Sequence, residues 1–247
     1  MADERHYILS VDTATPCSTV ALTSGTRADG RVLALFSISS NVTHSRRLLV
    51  AIEHLLADSG IAREEIHGFA VGLGPGSFTG LRIGMATVKG LAAAAKKPMY
   101  GLSTLDVIVA NCANCGNPSD PGLICSVLDA RKKEVYAAFY RCDNTGIPRR
   151  VTKIAALSPE KLAAEITEPV LMVGDGLQAY RRYWQSVLGD MLTIAPAQHW
   201  SPSAAALGLL AGELAVQNRT LDVAAAVPLY VRASDAELNL KIQPAAV

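Results

Sequence analysis

Twice along this chain of 247 residues an apolar run ends in an aspartate and turns back as a hairpin. After a helix it returns as a second apolar run broken by a glycine turn. In the first pass the run is Tyr7-Ile-Leu-Ser-Val11, followed by Asp12. Thr19–Leu22 and Val32–Phe36 come next, set apart by Gly, Pro and Asp, and predict a three-strand antiparallel meander. From Ser45 to Ala57 the period changes: Leu48, Leu49, Ile52, Leu55 and Leu56 share a helix face, and Gly60 stops it. A strand over Gly68–Val71 then meets Gly74-Pro75-Gly76-Ser77-Phe78-Thr79-Gly80-Leu81-Arg82, and an Ala-rich helix runs on to about Lys96. A short strand, Met99–Leu102, and a helix, Thr104–Cys112, close the pass.

Asn111 to Gly122 is rich in Asn, Gly and Pro and reads as a boundary between residues 1–112 and 113–247. After it the order restarts. Leu123–Leu128 ends in Asp129, Val135–Tyr140 is its hairpin partner, and Val151–Ala155 is read as the third strand. Ser158-Pro159-Glu160 opens a helix with proline at its first position. Val170–Val173 runs into Gly174-Asp175-Gly176, a helix starts near Leu177, and a short strand lies near Leu192–Ala195. Ser201-Pro202 opens a last helix to about Val216, placed to pack back on the first half; the tail beyond Arg232 reads as loose. Asp12 thus pairs with Asp129, and Gly74 and Gly76 with Gly174 and Gly176. The matched order reads as an internal duplication. The fold class is α/β: two βββαβα subdomains facing across a cleft, the layout of the actin, sugar-kinase and chaperone ATPase superfamily.

Bulk properties narrow the function. Half of the residues are hydrophobic, ample for a core of this length. Net charge is +1, from 23 basic and 22 acidic residues, so no basic field covers the chain to grip nucleic acid. Aromatic residues make up only 5%, which argues against a base-stacking platform. The apolar run after the charged N-terminus is too short for a signal peptide, and none is long enough to span a membrane. Five cysteines without a dense framework fit a reducing cytoplasm.

Several motifs bear on chemistry. A glycine turn between strand and helix can hold an anion on its backbone N–H groups, which makes Gly74, Gly76, Ser77, Thr79 and Gly80 candidate contacts. Pro75 removes one donor, and neither G-x-x-x-x-G-K-[ST] nor G-x-G-x-x-G is present, so a tight turn under a neighbouring element is the plainer role. Asp12, Thr13 and Asp129 stand where such ATPases place their phosphate turns, but neither turn carries the expected glycine. Each aspartate can simply end its strand and cap its turn. Cys112-Ala-Asn-Cys115 has no second ligand pair and sits where a helix ends, against zinc or redox use. No two histidines share the H-x-x-x-H spacing, and no G-x-S-x-G elbow occurs. No metal site and no cofactor is expected. Two helices carry more apolar surface than one face needs, and Gly84, Ala86 and Gly90 would admit a close partner helix.

Ile8-Leu-Ser-Val-Asp12-Thr-Ala-Thr15, His44-Ser-Arg-Arg-Leu48, Gly74 to Gly84, Leu128-Asp-Ala-Arg131 and Glu134-Val-Tyr136 closely resemble the TsaB (YeaZ) family, from Tyr7 to about Arg232. The resemblance implies a catalytically silent relative of TsaD, the enzyme formerly classed as a glycoprotease. With TsaD and the ATPase TsaE, the family acts in making threonylcarbamoyladenosine in tRNA. TsaD carries a metal-binding H-x-x-x-H where this chain reads Gly101-Leu-Ser-Thr-Leu-Asp-Val-Ile108.

The resemblance further implies that the two over-apolar helices form the face toward TsaD. That face would be built from His44, Arg47, Leu48, Leu49, Ile52 and Leu56, with Phe78, Leu81, Arg82, Met85 and Val88. Leu49→Asp or Met85→Asp is then expected to abolish assembly and spare the fold. The same face would pair two copies in isolation, and tRNA would be met only indirectly. The competing expectation is an enzyme, either a nucleotide hydrolase or a glycoprotease-like metallopeptidase.

Overall fold

The computed structural model describes residues 6–39, 44–112, 122–143 and 146–232, without the side chains of residues 44–47. The first sheet holds β1 (Tyr7–Asp12), β2 (Cys17–Ser24), β3 (Arg31–Ser39), β4 (Ile66–Gly72) and β5 (Met99–Leu102), in the order β3-β2-β1-β4-β5. β1, β2 and β3 form an antiparallel meander; β4 and β5 add to β1 in parallel. The second sheet repeats the plan. β6 (Leu123–Arg131), β7 (Glu134–Cys142), β8 (Pro148–Arg150), β10 (Val170–Val173) and β11 (Leu192–Ile194) lie in the order β8-β7-β6-β10-β11. β9 (Ala155–Leu157) pairs with β7.

The helices repeat as well. α1 (His44–Ser59), α2 (Phe78–Ala95) and α3 (Thr104–Cys112) belong to the first pass. α4 (Pro159–Glu165), α5 (Gly176–Leu188) and α6 (Ala204–Val216) belong to the second. Two halves of the same strand-and-helix order therefore follow one another, as the element order implied.

Alternation along β1 decides what covers each face. Tyr7, Leu9 and Val11 point into a core with Leu48, Ile52 and Leu55 of α1 and Met85 and Val88 of α2. Ile8 points the other way, with Ala70 and Tyr100, onto Val107 of α3 and Leu207 and Ala211 of α6. The last helix therefore seals the first sheet. Gly208 allows the contact, because a β-carbon there would collide with Thr23, and the Ser10 hydroxyl donates to the Ala204 carbonyl at 2.6 Å. α3 belongs to both halves: Leu105, Ile108, Val109 and Cys112 join the core of the second sheet.

One strand differs from the expectation. Of Val151–Ala155 only Ala155 is strand, as the first residue of β9; Val151–Ile154 separate β8 from β9. At this point the Thr152 hydroxyl accepts from the Phe139 N–H at 2.9 Å, and the Val151 N–H donates to the Phe139 carbonyl at 2.8 Å. A side chain thus takes over one ladder bond, and the edge opens between two three-residue pieces.

Candidate functional site

The glycine segment closes on the first aspartate turn. Ser77 caps α2, its hydroxyl accepting from the Gly80 N–H at 3.2 Å. The Ser77 N–H donates to the Ala14 carbonyl at 2.7 Å, and the Thr13 hydroxyl donates to the Gly80 carbonyl at 2.7 Å. β-Carbons on Gly76, Gly80 and Gly84 would run into Ala14 O, Thr13 O and the Thr13 hydroxyl respectively. Gly74 sits at φ 97°, and its carbonyl accepts the Thr104 N–H at 2.8 Å. Packing alone thus demands these glycines. Thr79 is exposed.

Asp12 is fully buried beneath this clasp. Its carboxylate accepts from the Ala14 N–H at 2.9 Å and from the Thr104 hydroxyl at 2.9 Å. Burial outweighs these two bonds and pushes its pKa up to about 6. Asp129 repeats the turn, its carboxylate accepting from the Arg131 N–H at 2.8 Å and pairing with the Arg131 guanidinium at 3.1 Å. The second glycine turn closes on β6 as the first closes on β1. A β-carbon on Gly174 would strike the Val127 carbonyl, and the Asp129 N–H donates to Asp175 at 3.0 Å. Burial pushes Asp175 up to about 6, and the charge of Asp129 adds to the rise. In both halves the aspartate serves its own turn.

The segment Gly101–Ile108 spans the end of β5 and the start of α3. Its Thr104 holds Asp12, and Leu105 and Ile108 are buried in the core of the second sheet. Cys112 is buried at the end of α3; Cys115 lies outside the described residues. Among the described residues no three His, Cys, Asp or Glu side chains gather as a ligand set, and no helix is long and apolar enough to cross a membrane.

The two helices expected to meet a partner divide sharply. Leu48, Ile52 and Leu56 of α1, and Leu81, Met85 and Val88 of α2, are all 7% exposed or less. They are core residues of this chain, so the expected face is corrected to exclude them. The i, i+4 spacing marked them as apolar without saying what they pack against. Gly84 likewise faces inward, onto Thr13. The surface side consists of Leu49 and Val50, 53% and 49% exposed, with Ala86 and Gly90 of α2 also exposed. A β-carbon on Gly90 would meet open space. His44 and Arg47 start α1, with side chains outside the described residues.

Phe78 and Arg82 have a partner inside the chain that the sequence did not announce. The Arg82 guanidinium lies 3.9 Å from the centre of the Phe78 ring, its Nε donates to the Tyr230 hydroxyl at 3.3 Å, and the Phe78 and Tyr230 rings meet tilted by 38° with centroids 5.2 Å apart. Tyr230 belongs to a strap, residues 221–232, that runs along α2. Leu221 and Leu229 donate backbone N–H groups to Met99 and Leu73, both at 2.8 Å. Lys89 donates to the carbonyls of Ala224 at 2.9 Å and Ala226 at 3.1 Å. At the strap's far end Arg232 pairs with Glu134 at 2.8 Å.

With this geometry in place, known proteins give the relationship. A family model described as TsaD, tRNA N6-adenosine threonylcarbamoyltransferase, matches residues 38–240. The tRNA threonylcarbamoyladenosine biosynthesis protein TsaB of Escherichia coli is 32% identical over 229 residues, 91% of this chain and 94% of that one. The chain belongs to the TsaB family. TsaB of Bacillus subtilis is 30% identical over 93% of this chain and 96% of its own. A crystal structure from Pseudomonas aeruginosa, described as similar to peptidase YEAZ, superposes with a TM-score of 0.74 at 27% identity. It covers 92% of this chain and 100% of that one.

Proposed function

We propose that this TsaB-family chain serves tRNA threonylcarbamoyladenosine synthesis as a non-catalytic partner of TsaD. The supporting observation is the exposed side of α1 and α2: Leu49 and Val50 stand out of the fold on α1, and Gly90 of α2 has open space around it. Apolar side chains about half exposed on one helix, with small exposed residues on the other, suit a partner helix at close range. The inward-turned aspartates agree with a silent role, since both carboxylates and the glycine clasps are engaged by their own turns. TsaE joins the assembly as a third component, tRNA is held by the partner, and the chain alone pairs with a second copy through the same face.

The test is reconstitution. Purified TsaD, TsaE and the adenylate-forming enzyme are given tRNA, with and without this chain, and the modified nucleoside is quantified by mass spectrometry. Modification that requires the chain supports the reading, provided the chain alone turns over neither ATP nor a peptide substrate. Full modification in its absence overturns it, and turnover by the chain alone favours the enzyme reading.

A further inference from the structure

The two halves border an open cavity that no part of the proposed partner role uses. It holds about 460 Å³ between α3, α6 and β8, within the range of about 300–1,000 Å³ usual for small-molecule sites. None of Asp12, Thr13, Asp129 or Asp175 lines it, so it is separate from both aspartate turns. One wall is apolar, formed by Leu73, Leu102, Val109, Leu210 and Leu214. The other carries Arg27, Arg149, Arg150 and Arg219 against the carboxylates of Asp106 and Glu213; with Arg149 paired to Asp143 at 3.0 Å, an excess of one positive charge remains.

The carboxylates are already committed. Arg27 clamps Glu213 with two bonds, at 2.6 and 3.2 Å. Asp106 accepts from the Tyr140 hydroxyl at 2.7 Å, and burial together with the Asp106 charge pushes the Tyr140 phenol up, so it stays a donor. Arg150 approaches Asp106 only to 3.8 Å, too far for a hydrogen bond. Arg219 reaches the neutral Gln217 at 3.3 Å. Among the described residues, these two guanidinium groups have no carboxylate within hydrogen-bond distance. A second observation points the same way. Ser103 is 7% exposed and lines the cavity, and its hydroxyl has no hydrogen-bond partner. A buried hydroxyl without a partner costs free energy that a bound ligand would return.

We infer that this cavity binds a small molecule carrying an oxyanion, phosphate or carboxylate, on an apolar body. The anion meets the arginine wall and the body lies against the leucine wall; the Ser103 hydroxyl, sealed just beneath the surface of the cavity, becomes a further polar contact once its side chain rotates toward the ligand. Charge-assisted bonds to guanidinium would hold the anion, and contact with the apolar wall would give the whole molecule higher affinity than a simple inorganic ion.

Calorimetry on the full chain at low salt tests the inference with three probes of one shape: 2-naphthyl phosphate, 2-naphthoate and the uncharged 2-naphthalenemethanol. One anion is expected to bind at one-to-one stoichiometry, at least about tenfold tighter than the alcohol, and to weaken as salt is raised. Preference for the phosphate identifies a phosphomonoester site; preference for naphthoate identifies a carboxylic acid site. The double substitution Arg150→Gln with Arg219→Gln is expected to weaken binding about tenfold or more. Gln217→Trp at the exposed rim, far less disruptive to folding than a core change, is expected to block entry. Absence of saturable binding by either anion at millimolar concentration overturns the inference. So does binding that neither variant alters.

Discussion

The hydroxyl of Thr13 donates to the carbonyl of Gly80 at 2.7 Å, tying the first aspartate turn to the start of α2. This one bond explains why a glycine-rich motif resembling an anion cradle can be built for another purpose. Its N–H and C=O groups are turned onto the neighbouring turn, and Gly76, Gly80 and Gly84 are spaced to let the two backbones touch.

Gly84→Ala is expected to destabilise the isolated chain by about 1–3 kcal/mol, because its new methyl group has no place beside Thr13. Gly90→Ala, in the same helix with open space around it, is expected to be neutral or to stabilise by up to about 1 kcal/mol. Urea unfolding of both variants checks the pair; equal effects would show that the clasp is loose.

Asp12 gives the fold a pH dependence of definite sign. Burial raises its pKa from 3.8 to about 6, so the folded chain keeps this proton after the unfolded chain has released it. Its contribution to stability is therefore fullest below about pH 4 and is lost as pH rises to about 6, a change of about 3 kcal/mol. Asp175, also raised to about 6, acts in the same direction. Asp12→Asn is expected to flatten the Asp12 share of this fall, read as the difference between wild-type and variant urea curves at several pH values. An unchanged slope would contradict the burial argument.

Lys89→Met is expected to free the strap without unfolding the protein. It removes the two bonds to Ala224 and Ala226, at 2.9 and 3.1 Å, and leaves the core of α2 intact. Hydrogen exchange over residues 221–232 is expected to quicken, with global stability changed by no more than about 1 kcal/mol. Unchanged exchange would mean that the backbone bonds to Met99 and Leu73 suffice.

Met85→Asp and Leu49→Asp are expected to part company. Met85 is 5% exposed among Leu9, Val88 and Ile52, and a carboxylate there would unfold the chain or cost several kcal/mol. Leu49 is 53% exposed, and its substitution is expected to leave the thermal midpoint nearly unchanged. Thermal scans of both variants decide the matter; equal losses would mean that α1 and α2 are more tightly sealed than the exposures indicate.

The fold was largely legible in the sequence because apolar runs and their periods determine which faces are buried. Met99–Leu102, Thr104–Cys112 and Val170–Val173 match the expected elements end to end. The split at Val151 was not legible, since it depends on the Thr152 hydroxyl replacing a backbone acceptor across the sheet. Val227–Val231 reads in the sequence as the last ordered segment, but its path along α2 was not legible, for a related reason. Four of its contacts use the strap's own backbone, the N–H groups of Leu221 and Leu229 and the carbonyls of Ala224 and Ala226, which any side-chain sequence supplies. On α1, Leu48 and Leu49 look alike in the sequence. Only the position of the sheet shows that one is core and the other surface.

The most direct measurement is size-exclusion chromatography with light scattering on the chain, TsaD from the same organism, and their mixture, repeated with Leu49→Asp. The expected result is a one-to-one complex with the wild-type chain, formed at the expense of its own dimer, and no complex with the folded Leu49→Asp variant. Separate elution of wild-type chain and TsaD, or an undiminished complex with Leu49→Asp, would contradict the assignment of this face.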